Sequence, residues 1–209
     1  MKTSAGKRVP NHERRVTSTA LMLSAARDLF VSKGYAQTSI DEIARSAGLS
    51  KGAVYFYFDN KTALLLDLLQ QSETQLFDPI FEKIKISKGS ATDKLVLFIN
   101  WIAGYGAEHK ELLLLPVLMS LEFYDRGDVV EQRVRKMYTR LENELTKIMR
   151  EGQKQKEFDN KLPAKALAEV VVGLVDGLLL QWYRWSDELD GPTLARSARS
   201  LILNGVRAR

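Results

Sequence analysis

Apolar positions recur every three to four residues along most of the chain, the period of helices with one buried face. Leu21, Ala25, Leu29 and Phe30 form the first stripe, with Thr17 or Ser18 as its cap, Val31 as its last turn and Gly34 as its stop. Ile40, Ile43, Ala44 and Ala47 form a second, short stripe, and Val54 with Phe58 a third. A long helix is expected from Asp59 or Asn60, carrying Leu64, Leu65, Leu68, Leu69 and Leu76. Phe77, Ile80, Phe81 and Ile84 continue its pattern, with Pro79 placed to interrupt or kink it. Beyond a loop at 87–90, helices are expected over 92–105 and over 110–123, the second bent or restarted near Pro116. After a turn at 125–128 come 129–155, with Val130, Val134, Met137, Leu141, Leu145 and Ile148 inward, then 164–185 and 193–206. No alternating strand pattern and no internal repeat appears, so the fold class is all-α, with about nine helices.

Residues 38–61 carry the sharpest local signals. Ser39 stands three residues before Glu42, the spacing of a capping box at a helix start. Gly48 is a natural helix stop, and Ser50 caps the next helix. Short helix, glycine turn, short helix is the order that sets one exposed helix into a DNA major groove. Four consecutive aromatics, Tyr55 to Phe58, point in four directions on a helix, so at least two stay outside a small core. Lys51 can donate to a guanine edge or a phosphate, and Gly52 and Ala53 allow close approach, with the Ala53 methyl suited to a thymine methyl. Tyr55 and Tyr57 offer hydroxyls to phosphates, as do Thr38, Ser39 and the N–H groups of their turn. Lys61 can hold backbone beyond the groove, and Arg45, Ser50 and Phe56 complete the candidate DNA-binding set.

Charge points the same way. The chain has 31 basic and 26 acidic residues, and residues 1–61 hold ten of the former but five of the latter. All the net positive charge therefore lies with the candidate reader, as a polyanion-binding surface requires. Gly, Pro, Asn and charged residues dominate 1–15, which read as a flexible basic arm. There is no run of about 18 apolar residues, so no membrane partner is expected, and no signal peptide precedes the first amphipathic segment. Without cysteine the chain forms no disulfide, which allows a reducing compartment; the cytoplasm is the expected location.

The ordered set Gly34-Tyr35, Thr38-Ser39, Ile43-Ala44, Ala47 to Gly52, Val54-Tyr55, Tyr57-Phe58, Lys61 and Leu64 resembles the DNA-binding domain of the tetracycline-repressor (TetR) family of bacterial regulators. The resemblance is close over the N-terminal third; beyond it rests on length and helical pattern. It implies that the residues matching Lys51, Gly52, Ala53 and Tyr55 face bases, and those matching Tyr57, Lys61 and the Thr38-Ser39 turn hold phosphates. Three domains are expected: the arm at 1–15, a helix-turn-helix domain at 16–61, and a helical ligand-binding and dimerisation domain at 62–209. The segment Gly177 to Arg184 also resembles, over a short stretch, the betaine-regulator branch of the family.

The last two helices are the candidate dimer face. Gly173 and Gly177 lie four apart, and a glycine inside a helix costs roughly 1 kcal/mol against alanine, so two suggest close packing. With Val170 and Leu174 they form a stripe matched by Leu194, Ala198, Leu201 and Ile202. The family resemblance favours a homodimer, and a two-fold protein reads a palindromic operator in double-stranded DNA. Trp101, Tyr105, Met119, Phe123 and Trp182 offer adaptable walls for an apolar or aromatic effector. Glu122, Asp176 and Gln181 fall on apolar helices and can meet an amine or hydroxyl of such a ligand.

Catalysis lacks its parts. The two histidines, His12 and His109, have no partners at helical ligand spacing, there is no cysteine and no phosphate-binding glycine loop, and no cofactor, metal or enzymatic activity is expected. The expected function is a dimeric repressor released from its operator by a small effector. The alternatives are a regulator answering to a protein partner, or a helical interaction module with no small-molecule ligand.

Overall fold

The structure is a computed structural model describing residues 11–185 and 188–208. The expected arm therefore lies outside the described residues over 1–10, whereas Asn11 to Arg15 belong to the first helix. The described residues hold ten α-helices and no strand. These are α1 (Asn11–Lys33), α2 (Ile40–Ser46), α3 (Lys51–Tyr57), α4 (Lys61–Ser72), α5 (Asp78–Ile86), α6 (Ala91–Glu108), α7 (Lys110–Glu122), α8 (Val129–Lys154), α9 (Ala164–Arg184) and α10 (Gly191–Val206). A π-helical turn, Glu73–Phe77, joins α4 to α5 without a break. The two thus form one rod, leaving nine separate helical rods among the described residues.

The chain divides into two compact units between Leu68 and Leu69, inside α4. In the first unit α1 packs on α2 and α2 on α3. Its inward face on α1 is Met22, Ala25, Ala26 and Phe30; Leu21, expected inside, is exposed, because the stripe lies one position further round the helix.

In the second unit α8 is the central strut, packing on α9, α6 and α7, while α10 closes on α6 and α9. All six apolar positions expected to point inward on α8 are buried. Truncating Met137, Leu141, Leu145 or Ile148 to alanine costs on the order of 2–5 kcal/mol. Gly152 near its end is required by close approach: a Cβ there would lie 2.2 Å from the Phe158 ring. Phe158 pairs with Arg207 in an isolated antiparallel bridge, and Asp159 N–H donates to the Val206 carbonyl at 2.8 Å, tying the end of α10 to the α8–α9 connector.

Pro79 does not break the long rod. It occupies the first turn of α5, directly after the π-turn, where Asp78 N–H reaches back five residues to Glu73. The wider turn absorbs the missing N–H and the ring that would collide with a regular α-helical turn. Side chains of the second unit hold this turn. Glu73, buried, pairs with Arg133 and, at 3.0 Å, with Arg140, which also reaches Asp78 at 2.6 Å. The Trp101 indole donates to the Leu76 carbonyl at 2.9 Å.

Candidate DNA-binding surface and effector cavity

The reader is built by local capping. The Ser39 hydroxyl accepts from Glu42 N–H at 3.2 Å, and Glu42 accepts from Ser39 N–H at 2.9 Å. Lys33 pairs with Glu42, and these contacts, that with Lys33 first, hold the Glu42 carboxyl down to about 2. Gly48 takes φ +68°, a left-handed conformation that glycine adopts without cost, and Leu49 N–H closes the turn on the Ala44 carbonyl at 2.9 Å. Ser50 then caps α3, its hydroxyl accepting from Ala53 N–H at 3.1 Å. Val54 and Phe58 turn inward, as expected.

What remains outside on α3 is one face: Lys51, Gly52, Tyr55 and Phe56. Phe56 is 78% exposed and approaches the Tyr57 ring edge-on at 5.0 Å. Ala53 and Tyr57 are half-buried, Arg45 is exposed on α2, and Ser39 and Ser50 lie at the exposed helix starts. Lys51 is tied to Asp41 on α2 at 3.0 Å, an exposed pair that raises the lysine pKa.

Two members of the candidate DNA-binding set are used inside the fold. Thr38 is buried, its hydroxyl donating to the Gly34 carbonyl at 2.7 Å, so it presents nothing to a phosphate. Lys61 donates to the carbonyls of Tyr35 and Thr38, both at 2.7 Å, and lies 4.1 Å from the centre of the Tyr35 ring. Its ammonium staples the α1–α2 loop rather than standing free for DNA. Local sequence pattern carries no sign of that role, because it joins residues 23 and 26 positions apart.

The second unit holds two apolar spaces that share the walls Ile102, Val175 and Leu179. The larger, about 550 Å³, opens between α6, α9 and α10 and is lined by small and aliphatic residues and Trp182. The smaller, about 30 Å³, lies deeper and is bordered by Phe77 of the π-turn, Phe98, Tyr138 and Asp176. Of the eight candidate effector residues, the structure brings Trp182 to the first space and Asp176 to the second. The others serve elsewhere. Trp101 and Tyr105 stack on one another and reach the π-turn, Tyr105 through Gln75 at 3.4 Å. Met119 and Phe123 are core, Glu122 is half-buried, and Gln181 is exposed. Tyr138, absent from the candidate set, partners Asp176. Its neighbours Met137 and Leu141 carry the inward stripe of α8, and periodicity alone leaves Tyr138 unplaced.

The candidate dimer residues separate. Val170, Gly173, Leu174 and Gly177 lie together on the outer face of α9, and a Cβ on either glycine would meet nothing within 4 Å. On α10 only Leu201 is outside, 70% exposed; Ala198 and Ile202 are buried, and they and Leu194 line the 550 Å³ cavity. The α10 stripe faces its own protomer because α10 folds back on α6.

This order of elements has known counterparts. Residues 22–68 match the tetR family of bacterial regulatory proteins, and 117–188 match the tetracycline-repressor-like C-terminal domain. The MbdR regulator of Azoarcus sp. CIB, a solved structure, is 40% identical, with a TM-score of 0.84 over 90% of this chain and 98% of that one. The chain belongs to the tetracycline-repressor family. It is accordingly a DNA-binding transcriptional regulator and not an enzyme. Among other members, the fatty acid metabolism regulator protein of Bacillus subtilis is 26% identical over 189 residues, 88% of this chain and 93% of the relative. The structure of FadR from Bacillus subtilis in complex with stearoyl-CoA is 25% identical, with a TM-score of 0.74 over 90% of this chain and 99% of that one. Among the described residues no helix is long and apolar enough to cross a membrane, and no cluster of metal-ligating side chains occurs.

Proposed function

We propose that this TetR-family regulator is a homodimeric repressor that leaves a palindromic operator when an apolar or aromatic effector enters the second unit. The observation that carries the reading is the pairing of an exposed reader face on α3 with an apolar cavity of about 550 Å³, within the range for small-molecule sites. The relative crystallised with stearoyl-CoA supports an effector with a long apolar part. Lys51, Gly52, Tyr55 and Phe56 read base edges, while Ser39, Arg45, Ser50 and Tyr57 flank them toward the phosphates. Lys51 exchanges Asp41 for DNA at little cost, because solvent screens an exposed ion pair. The outer face of α9, with Val170, Gly173, Leu174 and Gly177, joins the two protomers, with Leu201 of α10 at its side.

Effector binding is a population shift: it favours the state whose two readers no longer match the half-site spacing. The rod through α4, the π-turn and α5 is the continuous link, since α4 begins in the reader unit and Phe77 borders the inner void. A coupling of about 1–3 kcal/mol changes operator affinity roughly 5–150-fold. The test is fluorescence anisotropy on a DNA fragment recovered by the protein, with wild type and Phe56→Ala side by side. Wild type is expected to prefer this fragment over scrambled DNA and the variant to show that preference reduced severalfold. Equal binding of both DNAs by wild type rejects the reading and leaves the interaction-module alternative.

A further inference from the structure

The 30 Å³ void has 14 lining residues, and Tyr138 and Asp176 are the only ones with oxygen or nitrogen in the side chain. A carboxylate among aliphatic walls is costly, because burial disfavours its charged form. Burial pushes Asp176 up to about 6, and the hydrogen bond with the Tyr138 hydroxyl only partly offsets this. A carboxylate has about four acceptor positions, and the Tyr138 hydroxyl takes one of them at the wall of the void. The space holds on the order of one or two water molecules, enough for a single small polar group. Ile102, Val175 and Leu179 line both this space and the large apolar cavity, so they form the partition between the two.

We propose that the Tyr138–Asp176 corner is the polar end of the effector site, and that the effector is an apolar molecule carrying one hydrogen-bond donor, an amine or hydroxyl, that docks against Asp176. This rests on the reading of the large cavity as the effector site and adds the feature that selects among apolar molecules. The body fills the space beside Trp182; the donor replaces water at the carboxylate. A half-buried carboxylate that loses its water and gains no donor penalises molecules that lack one, so discrimination falls on analogues of the same size and hydrophobicity. A ligand ending in a carboxylate meets like charge there. Phe77 of the π-turn borders the same void, so a group seated at Asp176 touches the rod that continues into α4.

The test uses four probes with equal or nearly equal chains: octylamine, 1-octanol, heptyl methyl ether and octanoate. Each is titrated calorimetrically at pH 7.5 into the full-length protein and its Asp176→Leu and Tyr138→Phe variants. Wild type is expected to bind the amine and the alcohol about tenfold tighter than the ether, with octanoate weakest. In Asp176→Leu the amine, alcohol and ether should fall within about twofold of one another. Tyr138→Phe, which frees a further acceptor position, should keep or widen the preference, and it decides the matter if Asp176→Leu does not fold. Equal binding of alcohol and ether by wild type, or a preference that survives Asp176→Leu or vanishes in Tyr138→Phe, overturns the donor assignment while leaving the apolar cavity as a site. Failure of all four probes to bind overturns the cavity reading as well.

Discussion

Replacing Asp176 by Asn should stabilise the protein at neutral pH, and by an amount that depends on pH. The folded carboxyl titrates at about 6 against an ordinary 3.8, raised mainly by burial. That gap of about two units corresponds to about 3 kcal/mol, at 1.36 kcal/mol per unit. The sign follows from proton counts. Between 3.8 and 6 the folded state holds more protons than the unfolded one, so stability falls as pH rises through this window. Below it both states are protonated and the penalty vanishes; above it the penalty is complete. Asn carries no charge at any pH and keeps much of the shape. Urea unfolding of both proteins at pH 4, 5, 6 and 7.5, at one fixed protein concentration, should show near-equal stability at the acid end. At pH 7.5 the variant should gain up to about 3 kcal/mol. The change concentrates between pH 4 and 6.5. A difference that stays constant across this range would refute the reasoning, as would a wild type that gains on the variant with rising pH.

Lys61→Ala removes two charge-assisted hydrogen bonds to loop carbonyls, so a loss of about 1–3 kcal/mol in unfolding free energy is expected, with an unchanged salt slope of DNA binding. Unchanged stability with the slope lowered by about one would return Lys61 to the phosphate contacts. Gly48→Ala forces a side chain into left-handed geometry and should cost about 1–2 kcal/mol by denaturant midpoint, despite open space around the site. Phe56→Ala should leave the melting temperature within about a degree and reduce operator affinity severalfold; intact affinity would show that this exposed ring does not meet DNA. Val170→Glu puts a charge on the outer face of α9 and should shift sedimentation toward monomer while circular dichroism stays helical. A variant that sediments like wild type places the dimer contact elsewhere.

Local interactions were legible in the sequence, and long-range closures were not. Ser39 with Glu42, Ser50 with Ala53 and the Gly48 turn are contacts within a few residues, set by backbone geometry that residue type reveals. Thr38 and Lys61 illustrate the opposite. A threonine and a lysine beside a reader helix fit phosphate chemistry equally well, and only the folded loop turns both inward. Helical periodicity identified the stripes on α8 without error but could not say which neighbour a stripe would meet. On α10 all but Leu201 proved to line a space bounded by α6 and α9 of the same protomer. Trp101 and Tyr105 have the right chemistry for a ligand wall, yet Pro79 brings a π-turn into the rod and both are drawn to it. The proline was visible; the turn that accommodates it, and the aromatic pair that supports the turn, required the packed structure. Asp176 stood out as polar on an apolar helix, whereas its partner Tyr138 is 38 positions away on another helix and left no comparable mark.

The central claim, a two-fold regulator that reads one DNA sequence through α3, is tested most directly by selecting bound fragments from random duplex DNA and sequencing them. A palindromic motif is expected, with half-sites placed for two α3 helices on one face of the duplex, and weakened in Phe56→Ala and Lys51→Ala selections. Recovery of fragments without a shared motif by folded wild-type protein would contradict it.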